Sequence, residues 1–354
     1  MDEFQIEAYN FYLPEERIAQ HPAERREESR LLRVDCGTGK IKHGLFSGLP
    51  GLLQPDDLLV VNDTKVFPAR LQGRKETGGR IELLLLEYPA VEEGSGVLVP
   101  ALARSSKRPR PGSKILFGPD LEAEIIELRP GGAVLIRLNW QGKLNAALER
   151  YGSIPLPPYI HRDGKPHPED RKRYQTVYAR EHGAIAAPTA GLHFTPEMLA
   201  VIKEMGVEIA PVTLHVGYAT FAPVRVKDIR DHEIHAEYVT VGMEVVRAVE
   251  RAREKGGRVW AVGTTSARAL EFAACGEGRI RSVAGEACRL YIYPGYEYQV
   301  VDNLITNFHL PKSSLLFMVS AFAGRERVMA AYEEALRLEY RFYSYGDAMV
   351  LLKG

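Results

Sequence analysis

The feature that most constrains the fold is a change of texture between residues 71 and 153. The apolar stretches IELLLLE, KILF, LEAEIIEL and AVLIRL are short there. They are separated by Gly78-Gly79, Gly94-Ser95-Gly96, Pro111-Gly112, Gly118-Pro119-Asp120 and Pro130-Gly131-Gly132. Turn residues at that spacing imply an antiparallel barrel or sandwich. The segment ends at Ile154-Pro155-Leu156-Pro157-Pro158, where three prolines in four residues forbid a helix or a central strand and call for a stiff extended crossing.

On either side of this segment the pattern differs. LLRVD (31–35) and DLLVVND (57–63) read as buried strands. Val245, Val249 and Ala252 share one face of a helix that stops at Gly256-Gly257, and RVWAVG (258–263) follows as a strand. Thr264, Thr265 and Ser266 offer caps before the helix ARALEFAA. LITNFH (304–309) precedes the helix SLLFMVSAFAG, and DAMVLL closes the pattern. Strands alternating with helices imply a mainly parallel sheet. The expected fold class is therefore α/β: an interrupted α/β domain (1–70 and 154–354) with an inserted all-β, barrel-like domain (71–153). The cleft between them is the default ligand site.

Lys+Arg and Asp+Glu both number 46, so no bulk charge attracts nucleic acid or anionic membrane, and any polyanion must meet a local patch. Cys36, Cys275 and Cys288 are far apart, which excludes a disulfide framework and a cysteine zinc site. With cysteines so placed a reducing cytoplasm is expected, and no stretch reads as a signal peptide or a membrane span, so no membrane partner is expected; the chain is expected to be a monomer.

The sequence lacks G-x-G-x-x-G after a strand, a Walker A loop, G-x-S-x-G and HExxH. His232-Glu233-Ile234-His235 places its histidines three apart rather than four. On a strand, Glu233, His235 and Glu237 would share one face, as a proton-handling site or as a solvated edge. Four further segments put polar residues at strand ends. AIAAPTAGLHFT (184–195) carries Thr189, Gly191 and His193, and TLHVGYATFAP (213–223) carries His215. Gly263-Thr264-Thr265-Ser266 joins strand to helix, suiting a ribose, carboxylate or phosphate at a helix N-terminus, and Asn307-Phe308-His309 ends another strand. Any one of these is equally a satisfied core histidine or a simple N-cap. Together they lie where α/β sheets bind ligands.

Arg104, Lys107, Arg108, Arg110 and Lys114 form an acid-free run, read as a loop because Pro109 and Pro111 interrupt it. A second run includes Arg171, Lys172 and Arg173 with Tyr174 and Tyr178 interleaved. Cations with aromatics suit phosphate contact and base stacking; solvated loop tips give the same pattern.

The stretches YLPEERIAQHPAERREESRLL, DLLVVNDTKVFPARL, AAPTAGLHFTPEML, TLHVG, VGTTSARALE, TNFHLPKSSLLFMVSAFAG and YRFYSYGDAMVL together resemble the S-adenosylmethionine:tRNA ribosyltransferase-isomerases of queuosine biosynthesis, from residue 12 to residue 351. The resemblance implies an α/β body with an inserted β-barrel. It also implies an enzyme that transfers the ribosyl part of S-adenosylmethionine to the aminomethyl group of a 7-deazaguanine in tRNA. The products would be epoxyqueuosine, adenine and methionine. S-adenosylmethionine would be consumed as a substrate, with no cofactor and no metal. Lys65 stands where the family usually has Arg, and Tyr218-Ala219 where it has a smaller, Gly-containing pair.

That chemistry needs a base at the C5′ carbon beside the sulfonium, an acid for departing adenine and a neutral attacking amine. His193, His215, His235 and His309 are the expected proton carriers, with Glu237 and Asp63 as orienting or basic carboxylates. Gly263, Thr264, Thr265, Ser266, Arg268, Asn307, Thr189 and Gly191 are expected to hold substrate, Arg268 by reaching a carboxylate. Arg104, Lys107, Arg108, Arg110, Lys114, Arg171, Lys172 and Arg173 are expected to meet RNA. Competing readings are a nucleoside-acting small-molecule transferase that never touches RNA and a noncatalytic RNA-binding protein.

Overall fold

The computed structural model describes residues 2–89, 96–162, 167, 169–218 and 224–353. In chain order, β1 (Arg30–Asp35), β2 (Ile41–Leu45), β3 (Leu58–Asn62) and β4 (Thr64–Val66) come first. Next come β5 (Arg70–Lys75), β6 (Arg80–Leu85), β7 (Val97–Ser105), β8 (Lys114–Gly118), β9 (Leu121–Leu128) and β10 (Ala133–Trp140). These are followed by α1 (Leu144–Tyr151), β11 (Gly152–Ser153), α2 (Asp170–Arg173) and β12 (Glu181–Ala184). The remainder is α3 (Pro196–Glu204), β13 (Glu208–Leu214), β14 (Glu237–Val241), α4 (Met243–Glu254), β15 (Val259–Val262) and α5 (Gly263–Ala273). A hairpin, β16 (Ala274–Gly276) and β17 (Arg279–Ile280), precedes β18 (Val283–Cys288), β19 (Asn303–Asn307), α6 (Ser314–Ala323), α7 (Arg325–Arg337) and β20 (Ala348–Leu352).

The body is a nine-stranded sheet in the order β18-β14-β13-β3-β15-β19-β20-β1-β2. Every residue of β3 is buried, as a strand covered on both faces requires. Successive side chains alternate: Leu58 and Val60 enter a core shared with Val249 of α4, Leu270 of α5 and Phe317 of α6. Leu59 and Val61 enter a second core with Phe46, Phe194 and Ile202. Asp57, just before β3, ties it to β15 by accepting from Trp260 Nε1 at 2.9 Å and Arg258 Nη2 at 2.7 Å. The stop after α4 is steric. Gly256 is left-handed at φ 74°, and a Cβ on Gly257 would lie 2.0 Å from the Asp56 carbonyl oxygen.

The sheet is mixed, not mainly parallel as the alternation implied. The pairings β13–β3, β3–β15, β15–β19 and β20–β1 are parallel, whereas β19–β20, β1–β2, β13–β14 and β14–β18 are antiparallel. The reason is the helix pair α6–α7. Two successive helices between β19 and β20 add a reversal, so β20 returns antiparallel to β19.

The second sheet, β11-β5-β6-β7-β10-β9-β8, closes on itself through β5–β8 and is a barrel. Alternate residues such as Leu71, Leu83, Ala101, Ile115, Ala123 and Ile136 fill it, and Leu144 and Leu148 of α1 pack into the same core. Gly94 and Ser95 lie outside the described residues. Among the described residues no helix is long and apolar enough to cross a membrane.

Candidate active site

Strands β13, β15 and β19 end on one edge of the body, and a cavity of about 630 Å³ opens over their carboxyl ends. That is where open α/β sheets bind ligands, and the volume falls within the ~300–1,000 Å³ usual for small-molecule sites. Val216, Gly217 and Tyr218 follow β13, Gly263 to Thr265 follow β15, and Thr306 to Leu310 span the end of β19. Leu86 and Glu87, just beyond β6, bring the barrel to the rim.

Gly263 takes a left-handed φ of 88°, which turns β15 straight into α5 without a loop. Thr264, Thr265 and Ser266 therefore sit inside the first helical turn rather than ahead of it as caps. Thr264 and Thr265 line the cavity, and the Thr265 hydroxyl is enclosed without a hydrogen-bond partner among the described residues. Ser266 turns inward and donates to the Val262 carbonyl at 2.7 Å. Arg268 lines the cavity but is committed to the protein: it ion-pairs with Glu237 and donates to the carbonyls of Leu290 at 2.9 Å and Cys288 at 3.0 Å. The carboxylate it was expected to take from a ligand is Glu237, whose other oxygen accepts from Gly217 N at 3.1 Å.

The four expected histidines separate. His309 lines the cavity floor with Nε2 at 2.8 Å from Thr306 Oγ1, and burial pushes its imidazole down to about 3. His235 also lines the cavity. Residues 232–236 form no strand, β14 beginning at Glu237, so the expected Glu233-His235-Glu237 face does not exist. Glu233 is exposed, whereas His232, Ile234 and Ala236 join His235 on the wall.

His193 does not reach the cavity. It is buried against Phe46, bonded to Ser29 and Asn307, and pushed down to about 3 by burial, with Arg341 and Arg26 adding to the effect. His215 bonds Thr64 Oγ1 at 2.8 Å beside Gly183, off the cavity wall. Asp63, also off the wall, pairs with Arg180 at 2.9 Å and accepts from Thr213 at 2.7 Å, and burial raises its carboxyl. Asn307 and Thr189 line the cavity. Gly191 does not; it is packed so closely that a Cβ would lie 2.0 Å from the Tyr178 hydroxyl.

A family model described as queuosine biosynthesis protein matches residues 6–351. The chain belongs to that family. It is 49% identical over 351 residues to the S-adenosylmethionine:tRNA ribosyltransferase-isomerase of Desulfotalea psychrophila, covering 98% of each chain. It is 50% identical over 347 residues to that of Trichlorobacter lovleyi, covering 98% of this chain and 99% of the other. The crystal structure of the S-adenosylmethionine tRNA ribosyltransferase of Thermotoga maritima matches with a TM-score of 0.53 at 35% identity, over 98% of this chain and all of that one.

Within this family member, residue-type reasoning missed the aromatic wall. Tyr159 packs against Tyr343 with ring centroids 4.5 Å apart and planes tilted by 46°, and bonds Ser344 Oγ at 2.7 Å, and Tyr291 packs beside His232 at 5.4 Å. All of these residues line the cavity; the tyrosine-dense stretches YIYPGY and RFYSY were the available signal. Tyr174, expected to stack on RNA bases, is fully buried on the cavity side, and the Tyr178 hydroxyl is enclosed in the body.

The basic residues also divide. Arg104 lies on β7 and Lys114 on β8, with Lys107, Arg108 and Arg110 on the connecting loop. All five are exposed, and none pairs with a carboxylate among the described residues. In the second run Arg171 pairs with Glu149 at 2.6 Å, and Arg173 donates to the Glu24 carbonyl at 3.1 Å and to that of Ala23, so both stitch the fold together. Only Lys172 of those three is exposed without an ion pair among the described residues. Lys65 is half-buried, Tyr218 lines the cavity, and Ala219 lies outside the described residues.

Proposed function

We propose that this chain transfers and isomerises the ribosyl moiety of S-adenosylmethionine onto the aminomethyl group of a 7-aminomethyl-7-deazaguanine in tRNA. The products are epoxyqueuosine-tRNA, adenine and methionine, and the chain acts as a cytoplasmic monomer. The observation that carries the reading is the aromatic cavity over the carboxyl ends of the strands, walled by His235, His309, Glu237, Thr264, Thr265 and Asn307. Aromatic rings suit the faces of adenine and the deazapurine, and the hydroxyls at the start of α5 suit a ribose.

His235, His309 and Glu237 are the groups proposed to handle protons there; His193, His215 and Asp63 act from outside the wall. The exposed barrel cations, Arg104 to Lys114, supply the phosphate contacts that a chain of zero net charge must localise. The test is single-turnover adenine release from S-adenosylmethionine with precursor-bearing tRNA. His309→Ala and His235→Ala should each slow it by about two orders of magnitude. Normal rates in both, or turnover with the free base and none with tRNA, would refute the assignment.

A further inference from the structure

Asn307 sits at the end of β19 with 2% of its surface exposed, and its hydrogen bonds form a chain of one polarity. Nδ2 donates to the Tyr343 carbonyl at 3.2 Å, which can only accept, so the amide cannot be flipped without opposing two oxygens. The other Nδ2 hydrogen points to His193 Nε2 at 3.1 Å, so that nitrogen must be the acceptor and the ring proton must sit on Nδ1. His193 Nδ1 then donates to Ser29 Oγ at 2.6 Å, and Ser29 donates to the Arg26 carbonyl at 3.2 Å. Every donor in the chain is used. The atom left over is Asn307 Oδ1, buried and without a partner among the described residues, in a residue of the cavity wall.

The residue whose carbonyl receives the first of these hydrogen bonds is itself held in an unusual state. Tyr343 has a φ of 70°, a left-handed conformation that a bulky side chain rarely adopts. Its ring lines the cavity while its carbonyl faces Asn307. The neutral state of the imidazole is secured by burial and by the nearby Arg341 and Arg26 guanidiniums.

We infer that Asn307 Oδ1 accepts a hydrogen bond from an amino or hydroxyl donor of the substrate once the bound ligand displaces the wall that covers it, and that His193 is the positioning residue that fixes the orientation of the amide. The inference rests on the reading of the cavity as the S-adenosylmethionine and tRNA-base site. A buried carbonyl with no partner loses the solvation it had in water and recovers it only when a ligand donates. A ligand presenting an acceptor there would be rejected, so the same atom contributes specificity.

The experiment measures equilibrium binding of S-adenosylhomocysteine and, separately, of precursor-bearing tRNA to the full chain and to variants whose folding is checked by thermal midpoint. Asn307→Ala and His193→Leu should each weaken one ligand by about tenfold. The double variant should weaken it no further, because the histidine acts through the amide. His193→Gln, whose carbonyl replaces the Nε2 acceptor, should stay within about threefold of the parent.

A loss confined to S-adenosylhomocysteine places the donor on the nucleoside, and one confined to tRNA places it on the aminomethyl-bearing base. Unchanged binding of both ligands by folded Asn307→Ala, or additive losses in the double variant, would overturn the inference. Nitrogen-15 NMR of the His193 ring judges the lock without any ligand: the Nδ1–H tautomer is required, and the Nε2–H tautomer would overturn it. Failure of the parent protein to bind either ligand would instead strike at the proposed function, with the NMR result still deciding the lock.

Discussion

Lowering the pH from 7 to 5 should destabilise the protein through two histidines that stay neutral over that range in the folded, ligand-free chain. Burial pushes His193 and His309 down to about 3, with Arg341 and Arg26 contributing at His193, against an ordinary value of 6.5. Because the folded value is the lower one, the unfolded chain binds more protons between these limits. The stability is fully present above about pH 6.5 and is lost as pH falls toward 3. At pH 5 each ring costs about 2 kcal/mol and the pair about 4, a large share of the 5–15 kcal/mol typical of folded proteins. The buried Asp63 carboxyl, raised by burial, works in the opposite direction, so the parent curve alone does not isolate the histidines. Comparison with His193→Gln and His309→Gln does. Urea unfolding at several pH values between 4 and 6 should give each variant a stability slope shallower than the parent's by about 1.4 kcal/mol per pH unit, one proton fewer taken up on unfolding. Parallel slopes for parent and variants would refute the claim that these rings are held neutral.

Glu237→Gln strands the Arg268 guanidinium in a buried setting and should lower unfolding stability by about 3–5 kcal/mol; Glu237→Gln combined with Arg268→Met should recover part of it, and an unaltered denaturation midpoint in the single variant would contradict the pairing. Gly191→Ala should cost about 1–3 kcal/mol because its Cβ would lie 2.0 Å from the Tyr178 hydroxyl, and adding Tyr178→Phe should restore only part of that, since Thr176 Cγ2 at 2.8 Å and the Tyr178 ring at 2.9 Å still crowd it; equal midpoints with and without the second change would show that the clash is elsewhere. Replacing Arg108 and Arg110 by Ser should weaken tRNA binding and reduce its salt slope by roughly 0.7–0.9 for each phosphate no longer neutralised, with S-adenosylhomocysteine binding unaffected; an unchanged slope would move the RNA to another surface.

Much of the architecture was written locally. The alternation in IELLLLE and LEAEIIEL, punctuated by Gly and Pro, belongs to a barrel because period-2 burial and tight turns are properties of neighbouring residues. The helix with Val245, Val249 and Ala252 and the stop at Gly256-Gly257 followed from the same kind of information. The direction of β20 did not, since it depends on α6 and α7 packing as a pair rather than on anything within the strand. The division of the basic residues was equally invisible: Arg108 and Arg171 look alike in sequence, but among the described residues only Arg171 meets a carboxylate brought to it by folding, Glu149.

The sequence by itself determined that polar residues gather at the ends of apolar strands and that the chain resembles a queuosine-pathway enzyme. Only the tertiary structure decided which of those residues line the cavity. A histidine at the end of an apolar segment is written the same way whether its ring turns to a cavity or to the core. For His193 the choice is made by Ser29 and Asn307, which lie 164 and 114 residues away along the chain. Their hydrogen bonds satisfy both ring nitrogens inside the protein, and the residue of that chain that stands on the cavity wall is Asn307.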